Sequence, residues 1–143
     1  MSRFRFSVGP WNIHEGADVF GPAVRKSFSF SEKVRRFKDI GFDAVQFHDD
    51  DVVEEIDGKS AAELEQGAAE KRKILEDNGL AAEFVAPRLW ESPRGIDGSF
   101  SSNDPKEREY AVERSKRAVD LCRMMGCDLL GFWYAREGTV AAA

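Results

Sequence analysis

The sequence is poor in cysteine and contains no long hydrophobic run. Only two cysteines, Cys122 and Cys127, occur among 143 residues, and no second ligand pair accompanies them. This argues against a disulfide framework and against a zinc site. The longest apolar runs are too short to span a bilayer. Since the N-terminus carries no signal-peptide pattern, we expect a cytoplasmic protein with reduced thiols.

Positive charge is also in deficit. The 26 acidic residues outnumber the 21 basic ones, which gives a formal net charge of -5. No basic stripe interleaved with aromatics offsets this charge, so neither nucleic acid nor a membrane is an expected partner. With 42% apolar and 33% charged residues, the composition is that of a globular domain with one core, taken here as residues 1–143.

Strand patterns alternate with helix patterns along the whole chain. The first helix is predicted from a signal at Ser29 to Glu32, in which Ser31 can cap, to Gly41. Two more are predicted over residues 60–78 and from Asp104-Pro105 to Gly126. Predicted strands occupy residues 3–8, 42–47, 80–85 and 129–133. The last strand lacks alternation, which is typical of a strand buried on both faces. The order predicts an α/β fold with a parallel sheet and right-handed crossovers.

The segment after the first strand distinguishes an open sheet from a barrel. Gly9-Pro10-Trp11 stands where a dinucleotide-binding fold would place its glycine-rich phosphate loop. Long, aromatic loops after the first and third strands instead fit a barrel whose C-terminal face carries the site. The sequence therefore predicts about four parallel strands of a TIM (β/α)8 barrel.

Each predicted strand delivers a large ring to the same rim. Trp11 follows the first strand, His48 the second and Trp90 the third, and Trp133 closes the fourth. Parallel strands end at one face of a barrel, where active sites are built. The alternative is that these rings only plug the barrel mouth or cover the core of a half-barrel.

The segment from His48 to Asp51 carries the sharpest local signal. A histidine beside a carboxylate has its tautomer fixed and can move protons. The three aspartates could equally form a solvated loop or a helix-capping run. Metal binding is a third interpretation, although adjacent carboxylates point in different directions and make a poor cage alone. His14 is left out of the candidate site.

Residues 41–51, GFDAVQFHDDD, resemble the second-strand signature of xylose isomerases. Residues 19–25 resemble the DPFG-type loop of that family, residues 100–104 its FTxND segment, and residues 133–138 the end of its fourth strand. The resemblance covers essentially the whole chain. It implies interconversion of D-xylose and D-xylulose by a metal-assisted hydride shift after the sugar ring has opened.

The resemblance also implies roles for individual residues. His48 would be the acid/base that assists ring opening, and Asp51 would orient it and stabilise the imidazolium. Trp11 and Trp133 would form apolar walls around the sugar, with Trp90 where the family has an aromatic residue. Such walls exclude water from a migrating hydrogen.

Assembly and metal content are implied in the same way. Phe20 lies on a loop that reaches a neighbouring subunit's pocket in the family, so a homotetramer is expected. The family's later strands hold two divalent cations, Mg²⁺ or else Mn²⁺ or Co²⁺, and those positions are missing here. No metal ligand is therefore predicted in this chain, which alone should be inactive. Residues 86–88, Ala-Pro-Arg, replace small polar residues of the better-known family members.

Three hypotheses follow. The first is the N-terminal part of a xylose isomerase, truncated after the fourth strand. The second is a non-catalytic half-barrel that associates with a copy of itself or with another chain, because open strand edges and an uncovered sheet face require a partner. The third is a relative from the wider group of sugar isomerase and endonuclease barrels.

Overall fold

A computed structural model describes residues 4–17, 20–134 and 137 of the chain. Strands and helices alternate through this part. The strands are β1 (Ser7–Val8), β2 (Ala44–His48), β3 (Ala81–Ala86) and β4 (Leu129–Leu130). The helices are α1 (Phe30–Ile40), the short α2 (Asp49–Val52), α3 (Ala61–Asp77) and α4 (Pro105–Met125). Short 3₁₀ turns occupy Pro10–Asn12, Ile56–Gly58 and Pro93–Gly95.

The four strands form one parallel sheet in the order β1-β2-β3-β4. Ala44 pairs with Ala81 at the start of β2, and His48 pairs with Ala86 at its end, with a register shift between Val45 and Phe47. Consecutive parallel strands joined through helices confirm the predicted α/β class.

One face of the sheet packs against the helices and forms the core. Val45, Phe47 and Val85 are fully buried there. The helices contribute Val34, Phe37, Leu64, Ala68, Leu75, Ala118, Leu121 and Met125 to this cluster. None of the helices in the described part of the chain combines the length and the apolar composition that a bilayer crossing requires.

The opposite face of the sheet carries a polar cluster. The Gln46 amide donates to Ser7 Oγ at 2.8 Å and to Glu83 Oε2 at 2.9 Å, and the Ser7 hydroxyl donates to the same Glu83 oxygen. These bonds join β1, β2 and β3 through side chains in addition to the ladder.

Helix ends follow the sequence signals with one exception. α1 begins after Ser29 and not at Ser31, because Glu32 stands three residues after Ser29 and completes a reciprocal capping box with it. α1 ends at Gly41, whose φ of 103° is the left-handed conformation that favours glycine. Asp104 caps α4, and Gly126 ends it.

Two strands differ from the predictions. The β1 ladder is limited to Ser7–Val8, and Arg3, at the start of the predicted strand, lies outside the described residues. The prediction that the fourth strand is buried on both faces was wrong, since Leu129 is 57% exposed. β4 pairs with β3 alone among the described strands, so its other edge has no neighbour to cover it.

Candidate active site

The carboxyl ends of the four strands place aromatic rings at one edge of the sheet. His48 is the last residue of β2, and Trp11 lies in the 3₁₀ turn after β1. Trp90 and Trp133 follow β3 and β4. The Trp11 indole folds back over Gly9, where an added Cβ would meet the ring at 2.1 Å. Only glycine therefore permits this position of Trp11.

These rings form a continuous series, which we call the aromatic row: Trp11, His48, Trp90 and Trp133. The ring centroids of Trp11 and His48 are 4.4 Å apart, those of His48 and Trp90 5.1 Å, and those of Trp90 and Trp133 6.5 Å. The structure thus brings together four of the residues singled out from the sequence, and their roles toward a substrate remain predictions.

Phe20 lies outside the aromatic row. Its side chain is 95% exposed on the long connection between β1 and α1. The role implied for it lies in the pocket of a neighbouring subunit, so this exposure within one chain neither supports nor opposes that role.

The imidazole of His48 is buried beside Asp51. Because α2 starts directly after His48, Asp51 stands one helical turn further on and faces back toward the histidine. Its Oδ2 accepts the backbone N–H of His48 at 2.9 Å and lies 3.0 Å from Nδ1. Burial tends to raise the pKa of Asp51, but the hydrogen bonds from His48 and the charge of Arg88 hold that pKa below its usual value.

Arg88 is a third member of this cluster that the sequence did not single out for the site. Its Nη2 atom lies 2.7 Å from His48 Nδ1 and donates to Asp51 Oδ1 at 3.2 Å. Nε donates to Asp50 Oδ1 at 2.8 Å, and Nη1 donates to both oxygens of Glu91 at 3.2 Å. Burial alone would lower the pKa of Arg88, but the charges of Asp50 and Asp51 raise it.

A buried ion pair between Asp49 and Arg114 lies next to the cluster of His48, Asp51 and Arg88. Asp49 is fully buried, and Arg114 of α4 is 7% exposed. Arg114 donates from Nε to Asp49 Oδ2 at 2.7 Å and from Nη2 to Oδ1 at 2.9 Å. The same Oδ1 accepts the backbone N–H of Arg88 at 3.0 Å and that of Asp50 at 2.9 Å. Asp49 is therefore a structural anchor of the β3 end and not a solvated loop residue.

His48, Asp50 and Asp51 lie close enough together to be candidate ligands of a metal ion. Each offers a ligand atom, and these atoms lie within 4.8 Å of one another. Arg88 already donates to both carboxylates and approaches the imidazole, and its positive charge occupies the place a cation would take. Burial raises the pKa of Asp50 although the charge of Arg88 opposes this. As arranged, the three residues do not fit a divalent cation.

Glu137 connects the chain after β4 to the loop at residues 99–101. Its carboxylate accepts the successive backbone N–H groups of Ser99, Phe100 and Ser101 at 3.0, 2.9 and 2.8 Å. Burial tends to raise the pKa of Glu137, but these bonds and one from the Ser101 hydroxyl lower it. The segment after β4 is thereby attached to the loop that precedes α4.

Comparison with known proteins decides the family. The sequence model of the "Xylose isomerase-like TIM barrel" family matches residues 34–141. The chain belongs to the xylose isomerase-like TIM barrel family. Four parallel strands with their helices are therefore part of such a barrel, as predicted. Family membership explains why the ring-bearing strand ends converge, because this is the face on which TIM barrels build their sites.

The xylose isomerase of Thermus thermophilus is 32% identical to the chain over 140 residues. That match covers 97% of this chain but 36% of the enzyme, so the chain spans about a third of the length of this relative. The likeness places the chain among relatives of sugar isomerases.

Solved structures of xylose isomerase-like TIM barrels show the same fold at low sequence identity. One is a fusion protein with a 4-hydroxyphenylpyruvate dioxygenase, with a TM-score of 0.56, 17% identity, and coverage of 95% of this chain and 17% of that one. Another is a Mycobacterium smegmatis protein in complex with magnesium, with a TM-score of 0.54, 17% identity, and coverage of 96% of this chain and 40% of that one.

Proposed function

We propose that the protein carrying this chain is an aldose–ketose isomerase that interconverts D-xylose and D-xylulose. The observation that carries the proposal is the His48–Asp51 pair, with 3.0 Å between Nδ1 and Oδ2, set among the indoles of the aromatic row. The 32% identity to the Thermus thermophilus enzyme over nearly the whole chain supports it. Other members of this family have the same fold, so the substrate has to be tested.

In this proposal His48 exchanges a proton with the sugar while the ring opens. Nδ1 of its imidazole is engaged by Asp51 and Arg88, so Nε2 is the atom left for substrate. The contacts of Asp51 and Arg88 with Nδ1 orient the ring. A buried imidazole with a fixed orientation is suited to general acid–base catalysis.

The indoles of the aromatic row would form the apolar side of the pocket. Trp11 and Trp90 lie on either side of His48 and are both half-buried, whereas Trp133 is 54% exposed. Flat apolar walls exclude water while a hydrogen migrates between carbon atoms. We propose that Trp133 stands at the mouth of the pocket and makes fewer substrate contacts than the other two indoles.

The metal and the assembly belong to the proposal as well. Two divalent cations, Mg²⁺ or else Mn²⁺ or Co²⁺, would be held by residues outside this chain and would polarise the carbonyl and hydroxyl groups of the open sugar. The magnesium bound by the Mycobacterium smegmatis protein is in line with metal use in this family. The active assembly is proposed to be a homotetramer in which Phe20 reaches a neighbouring subunit.

The proposal is tested with the full-length protein that contains this chain. With D-xylose and Mg²⁺ it should form D-xylulose, and His48→Gln should lower kcat by about 10²–10⁴-fold, the contribution of a positioned acid or base. His14→Gln is the matched control, because His14 lies in the β1–α1 loop and should leave kcat unchanged. Equal activity of the His48 variant and the parent would exclude the assigned role.

A second candidate function is a non-catalytic half-barrel that self-associates. It is favoured by the apolar side chains exposed at and after β4, where Leu129 is 57%, Phe132 36% and Tyr134 59% exposed. Sedimentation of the 143-residue chain distinguishes the cases. A concentration-dependent dimer would support this function, and a monodisperse monomer that unfolds cooperatively would oppose it.

A further inference from the structure

Two side chains compete for one nitrogen of the candidate catalytic histidine. Nδ1 of His48 lies 3.0 Å from Asp51 Oδ2, which can only accept a hydrogen bond, and 2.7 Å from Arg88 Nη2, which can only donate one. An imidazole nitrogen either carries a proton or offers a lone pair. Only one of these two contacts can therefore be a hydrogen bond at a given time.

The position of the Arg88 guanidinium is fixed by its other partners. Asp50, Asp51 and Glu91 each accept from a different nitrogen, and the Arg88 backbone N–H is held by the buried Asp49. The side chain is only 17% exposed. The guanidinium cannot withdraw from His48 without breaking several charge-assisted bonds.

Either proton position allows one hydrogen bond to Nδ1, and the shorter contact, the one with Arg88, favours an unprotonated Nδ1. The two hydrogens of Nη2 have two acceptors, Asp51 Oδ1 and an unprotonated His48 Nδ1. Asp51 Oδ2 still accepts the His48 backbone N–H at 2.9 Å in that state. With a proton on Nδ1, an N–H of Arg88 would face another N–H across 2.7 Å, whereas with a lone pair on Nδ1 the Asp51 oxygen faces that lone pair across the longer distance of 3.0 Å.

We propose that Arg88 is a positioning residue that holds neutral His48 with its proton on Nε2, so that the histidine meets a ligand as a hydrogen-bond donor. Without Arg88, the proton would reside on Nδ1 and donate to Asp51 Oδ2, and Nε2 would become an acceptor. The inference deepens the proposed function, because it concerns the same histidine. It depends only on the geometry around Nδ1 and can hold or fail whether or not the protein isomerises xylose.

The test is the ¹⁵N spectrum of the imidazole, since a protonated and an unprotonated ring nitrogen give well-separated signals. In the full-length ¹⁵N-labelled protein, at a pH where His48 is neutral, Nδ1 should give the unprotonated signal and Nε2 the protonated one. The Arg88→Met variant should show the reverse. The imidazole signals that disappear in a His48→Gln variant of the full-length protein assign those of His48.

Arg94→Met is the matched control. Arg94 follows β3 as Arg88 does, but it pairs with Glu107 at 2.7 Å and stacks on Tyr110, away from His48. It should leave the pattern of His48 unchanged. A parent protein with the proton on Nδ1 overturns the inference even if the Arg88 variant does not fold. An Arg88→Met protein that folds and keeps the parent pattern overturns it as well.

Isomerase assays separate this inference from the proposed function. Failure of the parent protein to convert D-xylose, combined with an Nε2 proton that depends on Arg88, refutes the function and retains the inference. Conversion of D-xylose combined with an Nδ1 proton in the parent supports the proposed function and refutes the inference about Arg88.

Discussion

Replacement of Arg114 by methionine should be among the most damaging single changes in this part of the chain. The guanidinium donates to both oxygens of Asp49 at 2.7 and 2.9 Å. Asp49 is 0% and Arg114 7% exposed. Methionine has a similar volume but no charge, so the variant leaves the Asp49 carboxylate buried beside an apolar side chain. The backbone N–H groups of Asp50 and Arg88 remain its partners.

The expected loss is large because the charge cannot reach water. Removal of one partner of a buried ion pair costs about 3–5 kcal/mol, out of a total stability of roughly 5–15 kcal/mol for a typical domain. With a urea m-value of about 1–3 kcal/mol/M, the unfolding midpoint should fall by roughly 2 M. Since Asp49 also holds the Arg88 backbone, the local geometry at His48 should loosen as well.

Urea unfolding followed by tryptophan fluorescence measures this change. The double variant Asp49→Asn/Arg114→Met should recover part of the loss, because the asparagine oxygen can still accept the two backbone N–H groups without a buried charge. Arg72→Met is the control, since Arg72 is 48% exposed and pairs with Glu76 on the surface of α3. A loss under about 1 kcal/mol for Arg114→Met would contradict the contribution of the buried ion pair. A double-variant loss equal to the sum of the Asp49→Asn and Arg114→Met losses would contradict it as well.

Three further outcomes are expected. The pKa of Asp51 is lowered in the folded protein, so its stabilising contribution is present above the usual aspartate pKa of about 3.9 and is lost as the pH falls through the folded value. Asp51→Asn should therefore reduce the fall of the unfolding free energy at acid pH. The control Glu65→Asn, at an exposed position of α3, should leave that fall unchanged. Gly41→Ala should cost about 1–2 kcal/mol in urea unfolding because φ is 103°, while Gly58→Ala, also in open space but at ordinary φ, should cost less. Ser60→Ala should lose about 1 kcal/mol with the α3 capping box, and an unchanged midpoint would contradict that bond's contribution.

The alternation of elements could be predicted because each boundary has a local cause. Gly41, Gly126 and the Asp104-Pro105 pair are start and stop signals that act over one helical turn, and all three agree with the structure. The convergence of the aromatic row could also be predicted, because parallel strands carry whatever follows them to the same edge. The cap of α1 lies two residues before the predicted Ser31, since Ser29 and Ser31 are both capping residue types and only the spacing to Glu32 selects Ser29.

The charged network around His48 could not be predicted in the same way. Arg114 bonds to Asp49 across 65 positions and Arg88 approaches His48 across 40, and neither spacing leaves a periodic signal. A charged residue in a sequence is normally assigned to the solvent. One signal was available: Arg114 lies between Ala111 and Ala118 on the buried face of α4, where an arginine needs a buried acidic partner.

Three successive backbone amides bind the Glu137 carboxylate and couple this residue to residues 99–101. A displacement of Glu137 alone would break its bonds with the backbone N–H groups of Ser99, Phe100 and Ser101. It would also break the bond from the Ser101 hydroxyl. A displacement that carries residues 99–101 along with Glu137 keeps all four of these bonds.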